Sequence, residues 1–114
     1  RIHGRAVLPL QANARVLLCG PGASSLSMLN GCWSYTWQGD DSTVYPSSYR
    51  TLAEVMIKDK RLGSVQLIAD TYKKDGSAYA ATRLLAERAK EADVIVLCLG
   101  EEAYAENPGI INDL

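Results

Sequence analysis

Three carboxylates crowd the segment Gly100-Glu101-Glu102-Ala103-Tyr104-Ala105-Glu106, which follows the apolar run Asp93-Val94-Ile95-Val96-Leu97-Cys98-Leu99 and leads into the turn residues Pro108 and Gly109. A carboxyl group held at the end of a buried strand can protonate a leaving oxygen and later take a proton from water. That is the general acid/base half of glycosidic bond cleavage, which needs a second carboxyl group across the bond. A solvated acidic loop has the same composition, so this segment alone leaves both readings open.

A second constellation is Trp33-Ser34-Tyr35-Thr36-Trp37-Gln38-Gly39-Asp40-Asp41, with two indoles in a polar stretch that lacks core periodicity. Indole faces stack on the C–H faces of sugar rings, and flanking Gln and Asp side chains hydrogen-bond to hydroxyls. Alternatively, one or both rings pin the loop to the scaffold beneath it. Gly20-Pro21-Gly22-Ala23-Ser24-Ser25 invites a phosphate-loop reading, but the third glycine of G-x-G-x-x-G is missing and a long non-helical insertion is expected where a helix should start. A tight structural turn accounts for it better. No serine sits in a G-x-S-x-G turn, and His3, the one histidine, reads as a surface residue near a frayed terminus. Of the three cysteines, Cys19 and Cys98 lie in apolar runs and read as buried free thiols, while zinc would require paired C-x-x-C spacing that is absent.

The elements that must position these loops follow from hydrophobic patterning. Ala14 to Cys19, Val65 to Ala69 and Asp93 to Leu99 are short, continuous apolar runs, which suit strands covered on both faces of a parallel sheet. Between them, Ser47 or Ser48 is placed to cap a helix running to about Lys58, with Leu52, Val55 and Met56 on one face. Ser77 to Ala92 carries Leu84, Leu85, Ala89 and Ala92 at helical spacing. Strand, helix, strand, helix, strand predicts right-handed crossovers and an α/β three-layer sandwich, a mainly parallel sheet flanked by helices. Residues 23–46 and 100–114 both follow strand carboxyl ends, where open α/β sheets bind their ligands.

Length and charge narrow the partners. The 114 residues suit one α/β domain, and 12 basic against 13 acidic residues give a net charge of −1, too little field to draw in nucleic acid or anionic lipid. The apolar runs fall far short of the roughly 20 residues that span a bilayer, so no membrane partner is expected. The start at Arg1-Ile2-His3 has no initiator Met and no signal-peptide pattern, and reads as an excised or processed segment.

Five stretches in order resemble the carboxyl-terminal α/β domain of glycoside hydrolase family 3, which includes many β-glucosidases and exo-β-glucanases. Leu8-Pro9-Leu10 is similar to the entry into that domain, Arg15 to Pro21 to its first strand ending in G-P, and Gly31 to Gly39 to its G-G-W-T-x-x-W-Q-G loop. Ala92 to Val96 resembles its A-D-V-x-V strand, and Gly100 to Glu106 its G-E-x-P-Y-x-E loop. Cys32 stands where a glycine is usual and Ala103 where a proline is common.

The resemblance implies part of a retaining β-glucosidase acting on a β-glucoside or gluco-oligosaccharide, without cofactor or metal. It implies Glu106 as general acid/base, Glu101 as an orienting residue at the strand end, and Trp33 or Trp37 in an aromatic clamp around the sugar. The nucleophile, an aspartate, would come from a catalytic barrel domain of the same parent chain. The resemblance also implies that the sheet continues past the third strand, and that the 114 residues alone are inactive. A carbohydrate-binding domain without catalysis is the alternative. Members of the family are often periplasmic or secreted, but nothing in these residues fixes a localisation.

Overall fold

The computed structural model describes residues 6–68 and 77–106; the expectations for His3, Ala69, Pro108 and Gly109 lie outside them. Strand β1 spans Arg15–Cys19, β2 Ser64–Ile68 and β3 Val94–Leu97, and the three form a parallel sheet in the order β2-β1-β3. Helix α1 spans Leu26–Asn30, α2 Leu52–Lys58 and α3 Ser77–Ala89. The architecture is the expected α/β sandwich of helix, sheet and helix.

Strand order dictates where the helices go. The chain moves from β1 to β2 in one direction and from β2 across β1 to β3 in the other. For both crossovers to be right-handed, the two connecting helices must lie on opposite faces. Helix α2 packs through Leu52, Ala53 and Met56 onto Leu18, Val65 and Val96, which share one face by the strand register. The end of α3 meets the other face, where Arg88 and the following Ala92 border a shallow cavity with Leu17 and Gln66.

Burial on both faces holds for β1 alone. Val16, Leu17, Leu18 and Cys19 are at most 2% exposed, whereas Leu67 on β2 and Ile95 and Leu97 on β3 are partly open, Ile95 and Leu97 by more than half. One helix per face is about as wide as the central strand and its immediate flanks, so the outer edges of a three-stranded sheet stay bare.

Four local expectations change. The cap of α2 is Thr51, not Ser47 or Ser48, because a turn closed by Tyr49 N–H on Pro46 O occupies those residues. Thr51 and Glu54 form a reciprocal capping box, with Glu54 N–H donating to Thr51 Oγ1 at 3.2 Å and Thr51 N–H to Glu54 Oε2 at 2.8 Å. Its inner face is Leu52, Ala53 and Met56; Val55 points outward, 54% exposed. Helix α3 stops at Ala89, and Lys90, Glu91 and Ala92 wind a tighter turn through i to i+3 bonds before β3. The insertion after β1 is not wholly irregular either, since Ser25 caps α1 by accepting from Met28 N–H at 3.1 Å.

Gly20 and Gly22 serve the fold. A Cβ on Gly20, whose φ is +99°, would run into the Cys98 carbonyl, and Gly22 N–H donates to that same oxygen at 3.1 Å. The glycines let this turn close against the end of β3, which is the structural reading and not the phosphate loop. All three cysteines are unpaired: Cys19 is buried, while Cys32 and Cys98 are half-buried. Burial pushes the Cys19 thiol up, with a smaller push from Cys98.

Candidate active site

In a sheet ordered β2-β1-β3, the direction of winding reverses between β1 and β3, and the crevice beyond their carboxyl ends is where α/β sheets of this kind bind ligands. The segments following these two strands are the tryptophan loop and the acidic loop. Topology alone brings them side by side.

The tryptophan loop is largely self-supporting. Gly31 N–H donates to Ser27 O at 2.7 Å, Ser34 Oγ to Asn30 O at 2.8 Å, Trp33 N–H to Trp37 O at 3.1 Å and Gly39 N–H to Thr36 Oγ1 at 3.0 Å. Gly39 closes the base at φ +75°, so near Gly31 that any Cβ would collide with its backbone. Only glycine fits there. Tyr35 turns toward the body, donating from its hydroxyl to Tyr49 Oη at 2.8 Å and lying edge-on to the ring of Tyr45 at 4.9 Å. The bond to Tyr49 is the first cause that holds the Tyr35 phenol above its usual pKa.

With Tyr35 and Gln38 anchoring the loop, the indoles are left in solvent. Trp33 is 69% and Trp37 50% exposed, their rings tilted by 59° with centroids 6.2 Å apart. Pinning the loop to the scaffold falls to Tyr35 and Gln38 and not to the indoles. Two broad apolar faces therefore stand open at the carboxyl end of the sheet.

The acidic loop is held differently. Glu101 accepts a short hydrogen bond from Tyr104 Oη, and that bond, followed by the charge of the carboxylate, burial and the nearby Cys32, raises the tyrosine pKa. Glu101 is therefore engaged within its own loop. Ala105 is buried at 3% exposure and is gripped by the Gln38 carboxamide, whose Oε1 accepts from Ala105 N–H at 2.8 Å and whose Nε2 donates to Ala105 O at 3.4 Å. Glu106, the next residue, is exposed and has φ +57°.

Trp33, at φ +59°, shares this left-handed conformation. Asn13 also has it, but asparagine visits that region readily, whereas tryptophan and glutamate rarely do. Such backbone is kept where the surrounding contacts over-determine it, often at functional sites. The sequence suggests for Gln38 only hydrogen bonds to sugar hydroxyls; its grip on Ala105 has no signal in residue type or spacing. Among the described residues no group of His, Cys, Asp and Glu side chains could hold a metal, and no helix is long and apolar enough to cross a membrane.

No family model matches the chain. It is 34% identical over 113 residues to a lysosomal beta glucosidase from Dictyostelium discoideum, an alignment that takes in 95% of this chain and 14% of that protein. The chain thus spans a small part of the length of the curated relative it matches, and its sequence is related to that part of a glycosidase.

Proposed function

We propose that the chain is part of the carboxyl-terminal α/β domain of a family 3 glycoside hydrolase, and that it supplies the acid/base half of a retaining β-glucosidase active site. Glu106 is the general acid/base, and Trp33 or Trp37 offers a face to the sugar beside the scissile bond. The observation that carries this reading is the Gln38 to Ala105 pairing, which ties the aromatic loop to the residue before Glu106 at the ligand-binding end of the sheet. Similarity to a lysosomal beta glucosidase supports it.

In the first step the Glu106 carboxyl group gives its proton to the glycosidic oxygen as the C–O bond breaks. An aspartate from the barrel domain of the same parent chain takes the anomeric carbon. In the second, the Glu106 carboxylate removes a proton from water as that water displaces the aspartate and restores the starting configuration. This requires the two carboxyl groups about 5 to 5.5 Å apart. The substrate is a β-glucoside or gluco-oligosaccharide with a terminal β-linked glucose. Without the barrel there is no nucleophile, so the 114 residues alone turn nothing over.

In the parent chain, Glu106→Ala removes most turnover of substrates with poor leaving groups, and on an activated aryl β-glucoside, where breakdown of the glycosyl intermediate becomes limiting, added azide restores turnover by attacking that intermediate without base assistance. Undiminished hydrolysis of an unactivated β-glucoside rejects the role. The two exposed indoles favour a second reading, carbohydrate binding without catalysis. Titrating the isolated chain with gluco-oligosaccharides and following tryptophan fluorescence separates the two. Micromolar binding supports a binding domain, and millimolar or no binding fits half of a shared site.

A further inference from the structure

Taking Glu106 as the acid/base, as proposed above, we infer that Gln38 is its positioning residue: the tryptophan loop aims the proton donor through the backbone of Ala105. The carboxamide faces both polar groups of one residue, accepting from Ala105 N–H at 2.8 Å and donating to Ala105 O at 3.4 Å, much as a neighbouring strand would. The Ala105 carbonyl belongs to the same rigid peptide plane as the Glu106 N–H. Fixing that plane also fixes the Glu106 Cα, so the direction of its Cβ is set by the single backbone rotation φ, which is +57°.

Glutamine suits the task because its amide is both donor and acceptor. A glutamate of the same shape keeps the acceptor for Ala105 N–H but faces the Ala105 carbonyl with a second oxygen. Leucine offers neither partner and leaves the buried Ala105 peptide groups without Gln38. Gln38 does not touch the reacting atoms in this scheme. Its effect should therefore appear only where proton transfer matters.

The experiment uses the parent chain and two substrates, an alkyl β-glucoside that needs leaving-group protonation and a dinitrophenyl β-glucoside that does not. For Gln38→Leu, kcat/KM on the alkyl substrate is expected to fall on the order of 10- to 100-fold, the scale of a misplaced catalytic group, with much less change on the dinitrophenyl substrate. Gln38→Glu should recover part of that loss with the same selectivity. An equal fall on both substrates, accompanied by lower thermal stability, overturns the inference by making Gln38 merely structural. No fall on either does the same. If Gln38→Leu does not fold, the comparison is read from Gln38→Glu alone, where a selective partial loss supports the inference and an equal loss rejects it. Glu106→Ala is run in parallel: if it lacks the leaving-group selectivity, the acid/base reading itself fails and this inference with it. If Glu106→Ala shows the selectivity and neither Gln38 variant does, only the positioning role is lost.

Discussion

The two ends of the sheet are fastened by different chemistry. At the amino end, Asp93 accepts from the Arg15 backbone N–H at 2.8 Å, from Nε at 3.1 Å and from Nη2 at 2.7 Å, while its own N–H donates to Arg15 O at 2.8 Å. Arg61 pairs with Asp59, Asn13 N–H donates to Arg61 O at 2.8 Å, and Gly63 lies so close to Asn13 that a Cβ would strike its carbonyl. These groups satisfy one another. At the carboxyl end no ion pair among the described residues ties the two loops together: the link between them is a carboxamide on a peptide, helped by glycine contacts, tyrosine on tyrosine and Tyr104 on Glu101, and around them stand exposed indoles and the exposed Glu106. One end closes the sheet, and the other leaves indoles and a carboxylate exposed, as the proposed site requires.

The contrast breaks most visibly at Gly39. Gly39→Val places a Cβ against the Gly31 backbone and forces a β-branched residue to φ +75°, so the loop must open and Gln38 must shift. In the parent chain the expected result is a loss of kcat/KM on the order of 100-fold, the scale of a misplaced catalytic constellation. The far-ultraviolet circular dichroism of the sheet and helices should persist. Activity within a few-fold of normal would mean that the loop base has little to do with the site.

Thr51→Ala sharpens the comparison, because Thr51 begins α2 at the carboxyl end yet serves only the fold. Losing the capping box should cost about 1 kcal/mol, read from urea unfolding. The leaving-group selectivity of turnover should be unchanged. A changed selectivity would place α2 within the site.

The scaffold was legible because continuous apolar runs have few uses other than buried strands, and Val16 to Cys19 met that expectation on both faces. Val94 to Leu97 read the same way but lies half open, since sequence records hydrophobicity and not which neighbour covers it. Thr51-x-x-Glu54 was a readable cap overshadowed by the nearer serines. The loops were legible as residues and not as contacts. Nothing in spacing tells that Tyr35 anchors on Tyr49 while Trp33 and Trp37 stay exposed, or that Gln38 reaches Ala105, a pairing that depends on the strand order that brings the two loops together.

The smallest expected effect belongs to the amino end and is a matter of pH. The Arg15 guanidinium hydrogen-bonded to Asp93 lowers that carboxyl group to about 2 from an ordinary value of 3.8, and Arg61 does the same for Asp59. A depressed folded-state pKa means that the unfolded chain binds more protons between about pH 4 and pH 2, so stability falls as pH drops through this window. Above it the contribution is complete. Both side chains of the pair are well exposed, at 58% and 45%, so solvent and salt screen the interaction and its size is small. In Arg15→Met the Asp93 titration, followed by carboxyl-carbon NMR, should move upward toward the ordinary range, and the acid limb of the unfolding curve should flatten, with Asp59 supplying what remains. Turnover by the parent chain should not change. If Arg15→Met altered the leaving-group selectivity instead, the division between an end that closes the sheet and an end that holds the site would fail, because a perturbation there would have passed along β1 and β3 to the loops.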